Sequence, residues 1–174
     1  IGGGIGLFRS EFLYLNTTDY PTEDQQFEAY KQVLSDMDGK EVIIRTLDIG
    51  GDKEIPYMGL TRDENPFLGY RAIRFCLDRK DDVYRPQLRA LLRASAYGNI
   101  KIMVPMVTCI EELREAKALI EEIKKELDES NIPYKKDIEV GVEGGILIPK
   151  DLRKTKYLIV QLKLNLGKSD ERLY

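Results

Sequence analysis

The chain has 174 residues, of which 43% are hydrophobic and 33% are charged, and its formal net charge is −3. This composition is typical of a folded globular domain, and the acidic balance argues against nucleic acid as the main partner. No apolar run approaches the ~18 residues of a membrane span. Because the first residues also lack the basic region of a signal peptide, the sequence predicts a cytoplasmic protein with no membrane contact.

Histidine is absent from the chain. Its absence removes the commonest general base, the commonest metal ligand and the serine–histidine and cysteine–histidine nucleophilic systems. The two cysteines, Cys76 and Cys109, lie in unrelated segments without metal-ligand spacing, and both are predicted to be small buried hydrophobic residues. Any chemistry must therefore come from carboxylates, arginines, a metal ion or another protein segment.

Short apolar segments predict four β-strands. In chain order these are Ile5 to Phe8, Glu41 to Leu47, Ile100 to Met106 and Asp137 to Gly145. The third is nearly all apolar, as expected of a strand that is buried on both faces.

Helix signals separate the predicted strands. They are a capping box of Thr22 and Gln25, helical spacing from Phe67 to Leu77, Pro86 in a first turn, and a capping box of Thr108 and Glu111. The alternation predicts an α/β fold with parallel strands, either a doubly wound sheet or a (β/α)₈ barrel. Since a barrel typically takes ~250 residues, four strands would make an incomplete one.

Polar side chains follow the first two predicted strands. Arg9 and Arg45 stand at their carboxyl ends, where either fold gathers function, and two arginines on neighbouring strands could clamp one phosphoryl group. Lys53, beyond the glycine-containing "IGGD" turn, could add a positive charge. Alternatively, Arg9 and Arg45 form structural salt bridges with Glu11 and Asp48, and spacing alone favours neither interpretation.

The segment "NPFLGYRAIR" adds two further arginines. Arg71 and Arg74 fall on successive turns of the helix predicted there, so they could face the same cleft. A solvated basic helix face is the simpler interpretation of this pair taken alone.

Five motifs occur together in one order: "GIGLFRSEFLY", "PTEDQQFEAY", "VIIRTLDIGGDKEIPY", "NPFLGYRAIRFCLDR" and "LRASAYGNIKIMVPM". The chain resembles, from about Ile5 to about Gly141, the phosphoenolpyruvate-binding barrel domain of Enzyme I, the phosphoenolpyruvate-protein phosphotransferase family of the bacterial sugar phosphotransferase system. The segment "RTLDIGGDK" favours this family. The alternative is an enzyme related to pyruvate phosphate dikinase or phosphoenolpyruvate synthase.

The resemblance implies an incomplete (β/α)₈ TIM barrel of the phosphoenolpyruvate/pyruvate family. It implies that phosphoenolpyruvate binds with Mg²⁺ and passes its phosphoryl group to a histidine on a separate domain, which then phosphorylates the carrier protein HPr. By motif position, Arg9 and Arg45 are the phosphate-binding arginines, with Lys53 and Arg71 as supporting cations. The family's barrel domains also form homodimers.

The resemblance is lost near Gly141. The family has a "GIMVEIP" element whose glutamate binds Mg²⁺, whereas this chain has "GVEGGILIP", so Glu143 matches as a metal ligand only after a shift of two residues. The family's phosphorylated histidine and proton-donating cysteine have no counterpart, and no catalytic residue is assigned. Residues 142–174 are interpreted as a divergent or frame-shifted tail of one partial barrel domain, residues 1–174.

Three functions follow from these observations. The chain is part of a phosphotransferase of the EC 2.7.3.9 class, a phosphoenolpyruvate- or phosphate-binding module without transfer chemistry, or an inactive remnant. In the first case the isolated chain is expected to be inactive, because the family's transfer histidine and second metal ligand are not found in it.

Overall fold

The computed structural model describes residues 3–15, 17–50, 55–60 and 69–144. Its strands are β1 (Gly4–Arg9), β2 (Glu41–Arg45), β3 (Ile100–Val107) and β4 (Glu139–Gly144). Its α-helices are α1 (Phe12–Leu15), α2 (Glu23–Asp36), α3 (Ile73–Asp78), α4 (Arg85–Ala94) and α5 (Ile110–Glu129). Short 3₁₀ turns cover Pro56–Met58 and Ser95–Tyr97, and a π-helical turn over Lys80–Tyr84 leads into α4.

The four strands form one sheet in the order β1-β2-β3-β4, and every neighbouring pair is parallel. The predicted α/β class with parallel strands is therefore confirmed. Within the described strands the order follows the chain without reversal. Closure of the sheet into a barrel stays a prediction.

Within the described residues, helices cover one face of the sheet. Alternate residues of β2, β3 and β4 are buried and join the helices in a single core; they include Val42, Ile44, Ile100, Ile102, Val104, Val140 and Val142. The residues between them are only half-buried, among them Ile43, Lys101 and Met103. The expectation that β3 is buried on both faces is thus wrong for the described residues, where helices cover one face only.

Helix α5 buries the residues that the apolar spacing predicts for an amphipathic helix. These are Leu113, Ala116, Leu119, Ile120, Ile123 and Leu127. On α4 the same holds for Leu88, Leu91 and Leu92, and Pro86 lies in the first turn as predicted. None of the helices in the described part of the chain is long and apolar enough to cross a membrane.

The two capping boxes have different outcomes. Thr22 and Gln25 form the predicted box, with Gln25 N donating to Thr22 Oγ1 over 3.2 Å and Thr22 N donating to Gln25 Oε1 over 2.8 Å. The second box lies one residue later than predicted, because Glu112 rather than Glu111 accepts the backbone N–H of Cys109, over 3.3 Å.

The cysteines also differ in their surroundings. Cys76 is buried as predicted, and burial raises the pKa of its thiol. Cys109 is exposed at the start of α5, so the prediction that it is buried is wrong. Capping a solvent-facing helix end places it outside the core.

Of the helix predicted from Phe67 to Leu77, residues 67–68 lie outside the described part of the chain, residues 69–72 are not helical, and α3 begins at Ile73. Ala72 has φ 50° and ψ −123°, a conformation incompatible with a helix, and Arg71 precedes it. The prediction that Arg71 and Arg74 lie on successive turns of one helix is therefore wrong.

Candidate anion-binding site at the strand ends

A β-bulge in β1 determines the direction of Arg9. Ile5 pairs with Val42 and Phe8 pairs with Ile44, so β1 has two residues where β2 has one. Since side chains alternate along a strand, the extra residue shifts Arg9 onto the face that carries Arg45, its register partner. Phe8 in turn points to the helices, where its ring packs edge-to-face on Tyr30 with centroids 6.1 Å apart.

Glu11 joins the two arginines. Its Oε1 accepts hydrogen bonds from Arg9 Nε and from Arg45 Nη2, both over 2.8 Å. The Glu11 side chain is fully buried, whereas 48% of the Arg9 side chain is exposed. A carboxylate shared by two guanidinium groups offsets their mutual repulsion and brings them close together.

Asp48 extends this arrangement to a third arginine. Its Oδ2 lies 3.0 Å from Arg45 Nη1, and its Oδ1 lies 2.8 Å from Arg71 Nη2 and 3.2 Å from Arg71 Nε. We call the row formed by Arg9, Glu11, Arg45, Asp48 and Arg71 the strand-end cluster. The two salt bridges expected from the sequence as the alternative to a phosphate clamp, Arg9 with Glu11 and Arg45 with Asp48, are both present.

Burial and ion pairing act in opposite directions on the pKa values in the cluster. Burial alone would raise the pKa of Glu11, but its hydrogen bond to its own backbone N–H and the contacts from Arg9 and Arg45 lower it below its ordinary value. Burial would lower the pKa of Arg45, whereas Asp48, Glu11 and Glu143 raise it. Both groups therefore stay charged at neutral pH.

One buried arginine donor of the cluster has no acceptor among the described residues. Arg45 Nε is buried and makes no hydrogen bond within the described part of the chain. Arg9 uses its Nε for the bond to Glu11. Its guanidinium carbon lies 5.3 Å from the centroid of the Phe12 ring. Buried N–H groups are rarely left without an acceptor, so the cluster is suited to a ligand that supplies one, such as a phosphate oxygen.

Gly50 allows close packing between the loop after β2 and the segment of Arg71. A Cβ added there would lie 2.4 Å from Cβ of Arg71, so the glycine lets Arg71 approach the loop backbone closely. Ala72 N also donates to Ile49 O over 3.0 Å. These two contacts connect the loop after β2 to the segment that carries Arg71.

Two more cations were named from the sequence. Lys53 is outside the described residues, and its role stays a prediction. Arg74 donates to Gly69 O over 2.9 Å and to Thr108 Oγ1 over 3.4 Å, and Nη1 lies 3.9 Å from Glu112. These contacts hold Arg74 at the start of α5.

Glu143 reaches the cluster from β4. Its Oε2 lies 3.6 Å from Arg45 Nη1, and 36% of its side chain is exposed. It stands opposite a second bulge, where Pro105 and Met106 of β3 face this single residue of β4. A proline has no N–H to donate to the ladder, and it is tolerated at a bulge because the ladder is interrupted there.

The residues around Arg45 fit a magnesium site only in part. Protein-bound Mg²⁺ usually takes one or two carboxylates together with substrate phosphates. Glu143 offers one partly exposed carboxylate, but no group of three acidic, cysteine or histidine side chains within the described residues could hold a metal ion. The described residues do not complete such a site.

Sequence reasoning treated Glu11 only as a salt-bridge partner of Arg9 and did not foresee that it also binds Arg45. The signal for this arrangement was Gly6, because a glycine inside a strand pattern often marks a bulge. A bulge there shifts Arg9 toward Arg45, and the carboxylate between them becomes the shared acceptor.

Comparison with known proteins defines the class to which this fold and cluster belong. The chain belongs to the family described as PEP-utilising enzyme, PEP-binding domain, whose model matches residues 2–150. The resemblance stated from the motifs is thereby confirmed.

Curated relatives narrow the comparison to one kind of enzyme. The chain is 56% identical over 141 residues to the phosphoenolpyruvate-protein phosphotransferase of Priestia megaterium, covering 81% of this chain and 24% of the relative. It is 59% identical over 139 residues to that of Staphylococcus aureus (strain MSSA476), with 80% and 24% coverage. For Bacillus subtilis (strain 168) the identity is 56% over 141 residues, with 81% and 25% coverage. The chain thus spans about a quarter of the length of these relatives.

Proposed function

We propose that this chain forms the phosphate-binding part of a phosphoenolpyruvate-binding (β/α)₈ barrel in a phosphoenolpyruvate-protein phosphotransferase. Arg9 and Arg45 bind the phosphoryl group, and Arg71 and Lys53 support them. The observation that carries the proposal is the register pairing of Arg9 and Arg45 on parallel strands, with one Glu11 oxygen between them and Arg45 Nε left without an acceptor.

The cluster suits phosphoryl transfer because that reaction depends on positioning and charge stabilisation more than on covalent help. Glu11 and Asp48 hold the guanidinium planes before the ligand arrives, so less ordering is needed on binding. Three arginines face three carboxylates when Glu143 is included, and the cluster is close to neutral. A multiply charged phosphate therefore needs further positive charge.

Lys53 and Mg²⁺ are the proposed sources of that charge, and Glu143 is the candidate carboxylate ligand of the metal. A bound Mg²⁺ would neutralise charge on phosphoryl oxygens. The chain itself contains no histidine. The acceptor histidine, the transfer to HPr in sugar transport, a cytoplasmic location and a homodimer are thus proposed for a longer protein, by analogy with the relatives.

Calorimetric titration of the 174-residue chain with phosphoenolpyruvate tests the binding step. Arg45→Ala should weaken binding at least about tenfold, because hydrogen bonds to charged groups are worth roughly 1.5–3 kcal/mol each. Arg114→Ala is the matched control, since Arg114 is exposed on α5 and its ion pair with a described residue is a 3.8 Å contact with Glu111. Equal affinities for the two variants would refute the assignment of Arg45.

A phosphate-binding module without transfer chemistry is the second candidate, favoured by the lack of any histidine in the chain. A chimera separates the two: the matched 141 residues of the Bacillus subtilis relative are replaced by those of this chain. Phosphoenolpyruvate-dependent phosphorylation of HPr by the chimera, lost with Arg45→Ala, supports the enzyme. Binding without phosphorylation supports the module.

A further inference from the structure

A buried glutamine of α4 connects the ends of β1 and β2 from the helix side of the sheet. Gln87 Oε1 accepts the backbone N–H of Leu47 over 2.8 Å, and its Nε2 donates to Ser10 Oγ over 3.1 Å. Ser10 lies between Arg9 and Glu11, and Leu47 lies between Arg45 and Asp48. One amide thus contacts both backbone segments that carry the strand-end cluster.

The orientation of this amide is determined by its partners. Leu47 N–H can only donate, so the oxygen of Gln87 must face it, and the NH₂ group must face the two hydroxyls of Ser10 and Tyr30. The distance to Tyr30 Oη is 3.2 Å. Gln87, Ser10 and Tyr30 are fully or almost fully buried, so no water competes for these bonds.

Helix α2 continues the network away from the site. Tyr30 Oη donates to Gln26 Oε1 over 3.2 Å, Tyr14 Oη donates to the same oxygen over 3.0 Å, and Gln26 Nε2 donates to Pro21 O over 3.0 Å. A buried network whose donors and acceptors are matched in this way is rigid, because any rotation leaves a polar group unpaired.

We propose that Gln87 is a positioning residue, which fixes the ends of β1 and β2 relative to each other and thereby sets the spacing of Arg9 and Arg45. Strand pairing sets the register as far as Arg9 and Arg45, but Ser10 and Leu47 lie beyond that last pair, and the non-directional contacts of the apolar core do not specify the offset of the two backbones there. The proposal rests on the proposed function for its consequence in phosphate binding. Its geometric part stands without a ligand.

The test uses Gln87→Met in the 174-residue chain. This substitution keeps the length of the side chain and removes every hydrogen bond of the amide. Gln32→Met is the matched control, because Gln32 is exposed on α2 and its side chain donates to Asp36 of the same helix over 2.8 Å. Leu127→Ala on α5 controls for lost stability, since Leu127 is fully buried and lies on a helix that carries none of the cluster.

Two measurements are made on each variant. The first is the affinity for phosphoenolpyruvate, which should fall roughly tenfold in Gln87→Met, because small misplacement of binding groups has large effects. The second needs no ligand: the rate of water exchange at the Nε–H group of Arg9, followed by NMR, should rise clearly in Gln87→Met and stay unchanged in both controls.

The outcomes separate the two proposals. If the parent chain does not bind phosphoenolpyruvate, the binding function fails for this chain, and the exchange rate alone decides the role of Gln87. If Gln87→Met exposes the Leu47 amide to exchange but changes neither the arginine exchange nor the affinity, Gln87 is merely structural and the inference is overturned. An equal response of Leu127→Ala in both measurements would also overturn it.

Discussion

Charged side chains gather at both ends of the sheet face that the helices leave open, and the two groups differ in composition. At the amino ends, Lys101 Nζ lies 2.6 Å from Glu41 and 2.9 Å from Glu139, a group that we call the Lys101 triad. The hydrogen bonds that Lys101 donates to Glu41 and Glu139 raise its pKa. At the carboxyl ends lies the strand-end cluster, in which arginine replaces lysine as the cation.

The difference indicates where an anion can bind. Among the described residues, the Lys101 triad sets two carboxylates against one ammonium group, an arrangement that does not favour an anion. The strand-end cluster sets three guanidinium groups against two carboxylates, and its Arg45 Nε is buried without a hydrogen-bond acceptor among the described residues. The fork of a guanidinium group can hold a carboxylate on one edge and a phosphate on another, which a compact ammonium group cannot do as readily.

Removal of the Glu11 carboxylate, which Arg9 and Arg45 share, should have the largest effect on the stability of the strand-end cluster. Glu11→Ala leaves Arg9 and Arg45 as neighbouring cations, and loss of one member of a buried ion pair typically costs about 3 kcal/mol or more. We expect the free energy of unfolding to fall by about that amount in urea denaturation. A loss below about 1 kcal/mol would show that the pair behaves as an ordinary surface salt bridge.

A methyl group at Gly50 should disturb the cluster from the loop side. The added Cβ would overlap Cβ of Arg71 at 2.4 Å, and we expect a loss of about 1–3 kcal/mol in unfolding free energy together with weaker phosphate binding. Gly141→Ala is the matched control, because the nearest atom to a Cβ there, Ile102 O, is 3.9 Å away. Similar losses in both variants would contradict close packing at Gly50.

The acid dependence of stability should report on Glu11. Because its folded pKa lies below the ordinary value of 4.5, its contribution to stability is present above that pH and is lost as the pH falls through the folded pKa. The difference in unfolding free energy between the parent chain and Glu11→Gln should therefore shrink below about pH 4.5. If this difference in unfolding free energy stays constant down to roughly pH 3, about one unit below the ordinary pKa range of a glutamate, the lowered pKa is contradicted.

The smallest effect is expected at the opposite end of the sheet. Lys101→Met removes a side chain that is only 19% exposed, but its partners Glu41 and Glu139 are partly open to solvent, so we expect a loss of about 1 kcal/mol or less. Phosphoenolpyruvate binding should be unchanged in calorimetry. A marked fall in affinity would mean that the two charged groups are not independent.

Periodicity was sufficient to predict the elements that pack with one face inward. The spacing in α5 gave its buried residues correctly, and the segments of all four strands were found, because burial of an apolar stripe is a local property of the sequence. The start of α3 was missed because Ala72 adopts a positive φ that no residue preference indicates. That conformation depends on contacts with the loop after β2.

The candidate site was predictable in its members but not in its connections. Arg9, Arg45 and Arg71 were named from motif positions, and the structure brings all three together through Glu11 and Asp48. The sharing of one Glu11 oxygen depends on a bulge and on strand register, which are set by pairing across the sheet. Gln87 carries no motif at all, and only the fold shows that it lies behind both strand ends.

The bulge in β1 makes the pairing with β2, rather than the residue type, the critical property of this strand. Regular pairing from Ile5 onward, with no residue lost, would set Phe8 opposite Arg45 and Arg9 opposite Thr46, so the side chains beyond the bulge would exchange faces. Arg9 would turn toward the core and Phe8 away from it. A substitution between Ile5 and Phe8 that favours regular pairing would therefore take Arg9 away from the cluster without altering any charged residue, whereas deletion of one residue there would keep Arg9 opposite Arg45.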